Sequence, residues 1–312
     1  MSLDRTLIAL IGPTATGKSQ LALELYNKYP VEIVSVDSAM IYRGLNIGTD
    51  KPDNKILSNI KHHLINIRDP YETYNIGDFF SDIKSVLSTI HSKKKIPLLV
   101  GGSLMYFNQL FTGISSLPEK SISDRKLINT LLENYDCNQL HSCLQNIDIE
   151  SFKRIDKNDR QRIERALEVY MITGMPMSKL LNQKTNILKN YNILLIKLFS
   201  NDRSIIHQKI EKRVDKMLAN GLVDEVKGLI DKFSLNDQMQ SMKCIGYRHV
   251  FEYLSQKQKS EELRDKCIFS TRQLAKRQIT WLKQFNHGYP VDISTNTLQK
   301  SCKFIDKNLH FI

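Results

Sequence analysis

An α/β fold, a parallel sheet core carrying an inserted helical domain, is predicted for this chain from three observations. Apolar runs at residues 6–11, 31–36 and 96–100 each stop at a turn signal, as buried strands of parallel sheets do. Segments of helical periodicity separate them, giving strand, helix, strand, helix, strand. From about Ser121 to Leu188 this alternation lapses into helical spacing, and a strand returns at residues 192–199.

Each element has a local reason. After the first strand a helix is expected from Lys18, where Leu21, Ala22, Leu25 and Tyr26 share a face, and it must end before Pro30. Residues 31–36 alternate as a second strand and deliver Asp37 at its C-terminal end. A helix is expected from Ile76 to Ser92, and Ile96-Pro97-Leu98-Leu99-Val100 runs as a third buried strand into Gly101-Gly102. The middle segment has Ile163, Leu167, Tyr170 and Met171 at helical spacing and no convincing strand. Amphipathic helices follow residue 199. The expected organisation is a discontinuous core, 1–116 with 190–312, interrupted by a helical insertion at 117–189. No stretch rich in Gly, Pro or Ser marks a flexible joint.

Composition narrows the classes. The chain has 312 residues, 41% hydrophobic and 25% charged, which excludes a disordered or collagen-like chain. No run of 18 apolar residues is present, so no membrane span is expected. The N-terminus enters the first strand directly, without a basic region or cleavage site, which speaks against secretion. Five scattered cysteines (Cys137, Cys143, Cys244, Cys267, Cys302) never fall as CxxC, so neither disulfides nor zinc is expected, and a reducing cytoplasm fits. The net charge is +12, divided as +2 over residues 1–116, +3 over 117–200 and +7 over 201–312. Such an excess points towards a polyanionic partner.

The sharpest motif is Gly12-Pro13-Thr14-Ala15-Thr16-Gly17-Lys18-Ser19, a GxxxxGK[ST] loop between a strand and a helix. Its glycines let consecutive N–H groups turn inward, the helix N-terminus adds positive potential, Lys18 adds a charge and Ser19 offers a hydroxyl to Mg²⁺. The core is therefore P-loop NTPase-like, although the motif does not say which phosphate compound binds. Asp37, at the mouth of the next strand, could ligate Mg²⁺, act as a general base, or cap the next helix.

Beyond this loop the chain resembles the tRNA dimethylallyltransferase (tRNA isopentenyltransferase, IPP transferase) family. The resemblance is carried by residues 36–44 (Val-Asp-Ser-Ala-Met-Ile-Tyr-Arg-Gly), Ile47-Gly48-Thr49-Asp50-Lys51-Pro52, His62-His63-Leu64-Ile65, Arg68-Asp69-Pro70 and Leu99-Val100-Gly101-Gly102-Ser103. It continues through Asn158-Asp159, Arg162-Ile163, Arg165-Ala166-Leu167-Glu168, Gly246-Tyr247-Arg248, residues 271–278 and Thr280-Trp281-Leu282, in family order. Ser19 and Ser103 stand where threonine is common, and both keep the hydroxyl. The resemblance implies transfer of a dimethylallyl group from dimethylallyl diphosphate to N6 of the adenosine 3′ of the anticodon in a subset of tRNAs. It implies that the loop, Gly12 to Ser19, holds pyrophosphate, with Lys18, Ser19-bound Mg²⁺, Arg213 and the N–H groups of residues 14–18 neutralising it. Asp37 would be the general base and Ser103 would bond near the reacting groups. Contacts to the tRNA anticodon stem-loop would come from Asp37, Ser38, Ala39 and Met40, from Ser103 and Arg125, from Gln161, Ile163, Glu164 and the two arginines 162 and 165, and from Lys243, Cys244, Ile245, Gly246, Tyr247 and Arg248. A monomer is expected.

The residues alone support RNA binding only modestly. Arg162 and Arg165 share a helix face, as do Arg272 and Lys276, and residues 264–283 carry +5. Without the resemblance, Arg213 reads as a solvated helix residue, Ser103 equally as a helix N-cap, and Trp281, Phe285 and Tyr247 as core. His62 and His63 are adjacent, so their side chains diverge and a metal pair is not expected. Two other functions compete: a P-loop kinase of a small metabolite or nucleoside, with the Arg162/Arg165 region as its lid, and a basic RNA-binding module whose phosphate loop is regulatory.

Overall fold

The computed structural model describes residues 5–115, 117–118, 128, 130–256 and 259–309. The chain forms two compact units, Met1–Asn108 with Asn190–Ile312, and Gln109–Lys189. In the first, β1 (Thr6–Ile11) leads to α1 (Lys18–Tyr26), β2 (Val31–Ser35), α2 (Asn54–Asn59), β3 (His62–His63), α3 (Ile76–Ser92) and β4 (Ile96–Gly101). Helix α4 (Leu104–Thr112) carries the chain into the second unit, which holds β5 (Ile114–Ser115), α5 (Cys137–Ile147), α6 (Ile149–Arg154), α7 (Arg160–Thr173), α8 (Met177–Leu181) and β6 (Lys184–Thr185). The first unit resumes with β7 (Asn192–Phe199), α9 (Arg203–Ala219), α10 (Leu222–Phe233), α11 (Tyr247–Leu254), α12 (Ser260–Leu282), β8 (Tyr289–Asp292) and α13 (Thr297–Asn308).

The sheet order is β3-β2-β4-β1-β7-β8, and every pairing is parallel. All six residues of β1 are buried because it lies between β4 and β7 with both faces covered, which is why its sequence is apolar without alternation. Ile8 and Leu10 pack with Leu21, Ala22 and Leu25 of α1 and with Leu98 and Ile196. Helix α3 starts where expected because Asn75 caps it and Asp78 returns a bond to the Asn75 N–H. Two strands of this sheet, β3 and β8, escaped the sequence reading: one has two residues and the other contains Pro290, so neither leaves a pattern long enough to register. In the second unit the expectation of no strand is corrected by the antiparallel pair β5 and β6. Its core is helical, with Leu140 and Leu144 of α5 against Ile163, Ala166 and Leu167 of α7. Buried Asp148 accepts hydrogen bonds from Ser151 N–H at 3.0 Å, the Ser151 hydroxyl at 2.7 Å and Ser178 N–H at 2.9 Å, tying the starts of α6 and α8 together.

The carboxylate of Glu32 on β2 is buried with His63 Nε2 at 2.7 Å, Lys93 Nζ at 3.1 Å and Lys95 Nζ at 3.3 Å. Burial by itself raises this carboxyl, but the bonds from His63, Lys93 and Lys95 outweigh it and hold it at about 2, against an ordinary 4.5. A depressed folded value means stability that is complete above about pH 4.5 and lost as the pH falls towards 2, roughly 3 kcal/mol at most. Glu32→Gln is therefore expected to show a shallower fall of melting temperature across that window than the wild type. Parallel curves would exclude this cluster as a source of acid sensitivity.

Candidate active site

In a parallel sheet every loop after a strand emerges at the same edge, where ligands collect. Here three such loops meet in one cleft of about 1370 Å³ in the first unit: the phosphate loop after β1, residues 37–40 after β2, and Gly101-Gly102-Ser103 after β4. Helices α9 and α12 supply Arg213, Met217, Thr271, Gln278 and Trp281 to its lining.

The phosphate loop is curled by two left-handed residues, Ala15 at φ 64° and Gly17 at φ 82°. The Thr16 hydroxyl donates to Pro13 O at 2.8 Å, and Lys18 Nζ donates to Gly12 O at 2.9 Å and Pro13 O at 2.5 Å. Burial, then the neighbouring Arg213 guanidinium, lowers the Lys18 ammonium to about 7, with Asp37 opposing. An arriving anion would add a full opposite charge beside this half-buried ammonium. Arg213 Nη1 donates to Thr14 Oγ1 at 2.8 Å and Nη2 to Thr49 O at 3.1 Å, with Asp50 at 3.6 Å. The solvated-helix reading of Arg213 is thus replaced by a guanidinium clamped to the phosphate loop. Thr14 N–H, expected to face the anion, instead donates to Gln278 Oε1 at 2.8 Å, leaving the N–H groups of residues 15–18 for that task.

Asp37 Oδ1 accepts from Ala39 N–H at 2.8 Å and Met40 N–H at 3.1 Å, so it shapes its own turn while lining the cleft. The Ser103 hydroxyl accepts from Ser38 N–H at 3.2 Å, joining the turn after β4 to that of Asp37, while the Ser103 carbonyl accepts from Tyr106 N–H at the start of α4. This approach requires Gly101, whose added Cβ would lie 2.0 Å from Val36 O. Residues 46–48 are held from α10 and α11: Glu225 accepts from Ile47 N–H at 2.9 Å, and the Tyr247 hydroxyl donates to Glu225 at 2.7 Å while accepting from Gly48 N–H at 3.1 Å. Lys51 reaches back to Tyr42 O at 2.7 Å and Asn66 Oδ1 at 2.8 Å, and burial lowers its ammonium to about 8. Burial raises the Cys244 thiol to about 12, which removes it as a thiolate nucleophile at neutral pH.

Ser19 is exposed in the same lining as Asp37. Among the described residues no group of three His, Cys, Asp or Glu side chains could hold a metal by itself. One hydroxyl and one carboxylate beside a phosphate cradle fit an Mg²⁺ that takes most of its oxygens from the diphosphate and from water.

The residues expected to touch a polyanion divide. Lys243 and Arg248 are exposed, Cys244 and Ile245 line the cleft, and Gly246 and Tyr247 are buried, the tyrosine as a core residue. Phe285 is also core, but Trp281 is half-buried and lines the cleft, against the core expectation. Arg272 is paired with Glu211 of α9, and Arg264 with Asp215 at 2.6 Å, so part of the basic face of α12 is neutralised from α9. Lys276 and Arg277 are exposed, and Arg277 lines the cleft. In the second unit Ile163 is core, Arg160 pairs with Glu164 at 2.6 Å, Arg165 with Glu168 at 2.9 Å, and Arg162, bonded to Asp159 at 2.7 Å, is 74% exposed with Gln161 exposed beside it. Arg125 lies outside the described residues.

Gln278, Glu225 and Lys51 received no role from the sequence reading. A signal existed for the first: Thr271, Leu274, Gln278 and Trp281, spaced 3, 4 and 3, mark one face of α12, and all four line the cleft.

A sequence model described as IPP transferase matches residues 40–285. The tRNA dimethylallyltransferase of Nitrosomonas eutropha is 44% identical over 305 residues, 97% of this chain and 96% of that one. Its counterpart in Coxiella burnetii is 44% identical over 285 residues, 91% and 92% of the two chains. Among solved structures, the tRNA isopentenylpyrophosphate transferase of Bacillus halodurans superposes with a TM-score of 0.70 at 29% identity, covering 97% of this chain and 95% of that one. A eukaryotic dimethylallyltransferase described as acting on tRNA gives 0.79 at 28% identity, covering 98% and 77%.

Proposed function

Because the chain belongs to the IPP transferase family, we propose that it transfers a dimethylallyl group from dimethylallyl diphosphate to N6 of the adenosine 3′ of the anticodon in a subset of tRNAs. The observation that carries this is one cleft with two opposed faculties: a cationic phosphate cradle of Lys18 and Arg213, and a carboxylate, Asp37, in the same lining. An allylic diphosphate ionises by passing its C–O electron pair to pyrophosphate, so charge builds on the leaving group. The N–H groups of residues 15–18, Lys18 and Arg213 bind that charge. As the N6–carbon bond forms the amine becomes acidic, and Asp37 takes its proton. Mg²⁺, held by Ser19 and the diphosphate, would add positive charge at the leaving group. A stacked base cannot reach this edge of the sheet, so the target nucleotide is flipped into the cleft. The relatives named above carry transferase names and favour neither the kinase alternative nor the non-enzymatic RNA module.

In this reading tRNA is held in the first unit by residues 38–40, Ser103, Lys243 to Arg248 and the α12 cations, and in the second by Gln161 to Arg165. Five free cysteines suit a cytoplasmic enzyme, and we read it as a monomer. No described helix is long and apolar enough to cross a membrane.

The test is one mixture: unmodified tRNA with either labelled dimethylallyl diphosphate or γ-labelled ATP. Label passing from the allyl donor to tRNA is expected; phosphate transfer from ATP without allyl transfer would reverse the reading. Since Arg272 is paired, Lys276→Ala with Arg277→Ala should reduce the salt slope of tRNA binding by up to about two, more than Arg272→Ala does. Equal slopes in wild type and double variant would return that face to ordinary solvent exposure.

A further inference from the structure

We infer that Gln278 is a positioning residue for the transfer, fixing the phosphate loop against the turn that carries Ser103. The inference rests on the prenyl-transfer reading of the same cleft and deepens it. Gln278 Oε1 accepts from Thr14 N–H at 2.8 Å, and Nε2 donates to Gly102 O at 2.8 Å. These partners are 264 and 176 residues away in sequence, on the loops after β1 and β4. Gln278 as a residue is 9% exposed, so its bonds do not compete freely with water.

The chemistry of the pair singles out glutamine. One partner is a backbone donor and the other a backbone acceptor, so the bridging group must both accept and donate at fixed places. A carboxylate serves only the first, an ammonium or guanidinium only the second, and asparagine is one methylene shorter. The approach is close enough that a Cβ on Gly102 would meet Gln278 Nε2 at 2.6 Å. From Gly102 the linkage continues through Ser103 Oγ to Ser38 N–H, beside Asp37. From Thr14 it continues through the hydroxyl to Arg213. Gln278 is the amide that joins the half of the site receiving the leaving group to the half receiving the proton. Rate depends on the spacing of those halves, because a misplacement of about 1 Å can cost about 10²-fold.

The experiment compares Gln278→Glu, which keeps the acceptor and loses the donor, with Gln278→Met, which keeps the bulk and loses both, in the full chain. Steady-state transfer from dimethylallyl diphosphate to tRNA, melting temperature, and the double variant with Ser103→Ala are measured. A fall in kcat of at least about tenfold is expected for both, with KM for donor and tRNA within about threefold. The double variant should lose less than the product of the single losses, because both residues act through one linkage. A kcat within twofold of wild type in Gln278→Glu would overturn the inference even if Gln278→Met failed to fold. So would a loss confined to KM for tRNA, which would make Gln278 an RNA contact, or losses that multiply with Ser103→Ala. A wild-type enzyme that moves no prenyl group would instead remove the functional reading beneath it.

Discussion

Arg213→Ala is expected to slow prenyl transfer by about 10²–10³, equivalent to roughly 3–4 kcal/mol of transition-state stabilisation, the usual cost of removing one preorganised donor. The side chain is three-quarters buried and spans two loops, holding Thr14 Oγ1 and Thr49 O with different nitrogens of one guanidinium. Its charge is therefore in place before the diphosphate arrives, and no reorganisation is needed when negative charge develops. Arg213→Lys should recover only part of the rate, because an ammonium supplies the charge without the planar fork that reaches both loops. Loss of the guanidinium also removes one of the influences that depress Lys18, so the Lys18 ammonium should titrate above its value of about 7 in the variant. Single-turnover rates at saturating donor, with the Lys18 titration followed by NMR, check both. A single-turnover rate within threefold of wild type would remove Arg213 from the leaving-group site.

How much of this was legible in the sequence follows from the range of each interaction. The phosphate loop is eight consecutive residues with a strand before and a helix after, so local pattern suffices. Helix α3 was equally legible because its cap, Asn75 with Asp78, and its apolar face are local. Arg213 was different: its partner Thr14 is 199 residues away, and helical context alone describes it as a solvent-facing cation. Only the family resemblance gave it a role. Gln278 shows the same limit without that help, since its function lies in two backbone groups on distant loops. On α12 the sequence drew attention to Arg272 and Lys276 because charge is conspicuous. The face that lines the cleft begins one residue earlier, and Arg272 turns to Glu211. Counting cations overstated the free positive charge there because the carboxylates paired with Arg264 and Arg272 sit on another helix.

The most discriminating single change is Asp37→Asn. The amide oxygen can still accept from Ala39 and Met40 N–H, as Asp37 Oδ1 does, so the turn keeps its shape. Asparagine caps such turns as well as aspartate does, and a purely structural Asp37 would therefore leave turnover unchanged. A proton acceptor cannot be replaced in this way. Turnover should fall by at least about 10², with tRNA affinity within a few fold. One further measurement separates the remaining roles of the carboxylate. If Asp37 accepts the N6 proton, added Mg²⁺ restores nothing in the variant. If it serves instead as a metal ligand, the variant's rate recovers as Mg²⁺ is raised. Wild-type turnover in Asp37→Asn would exclude proton transfer to this residue, and the Ser103–Ser38 contact beside it would then be no more than a brace between two loops.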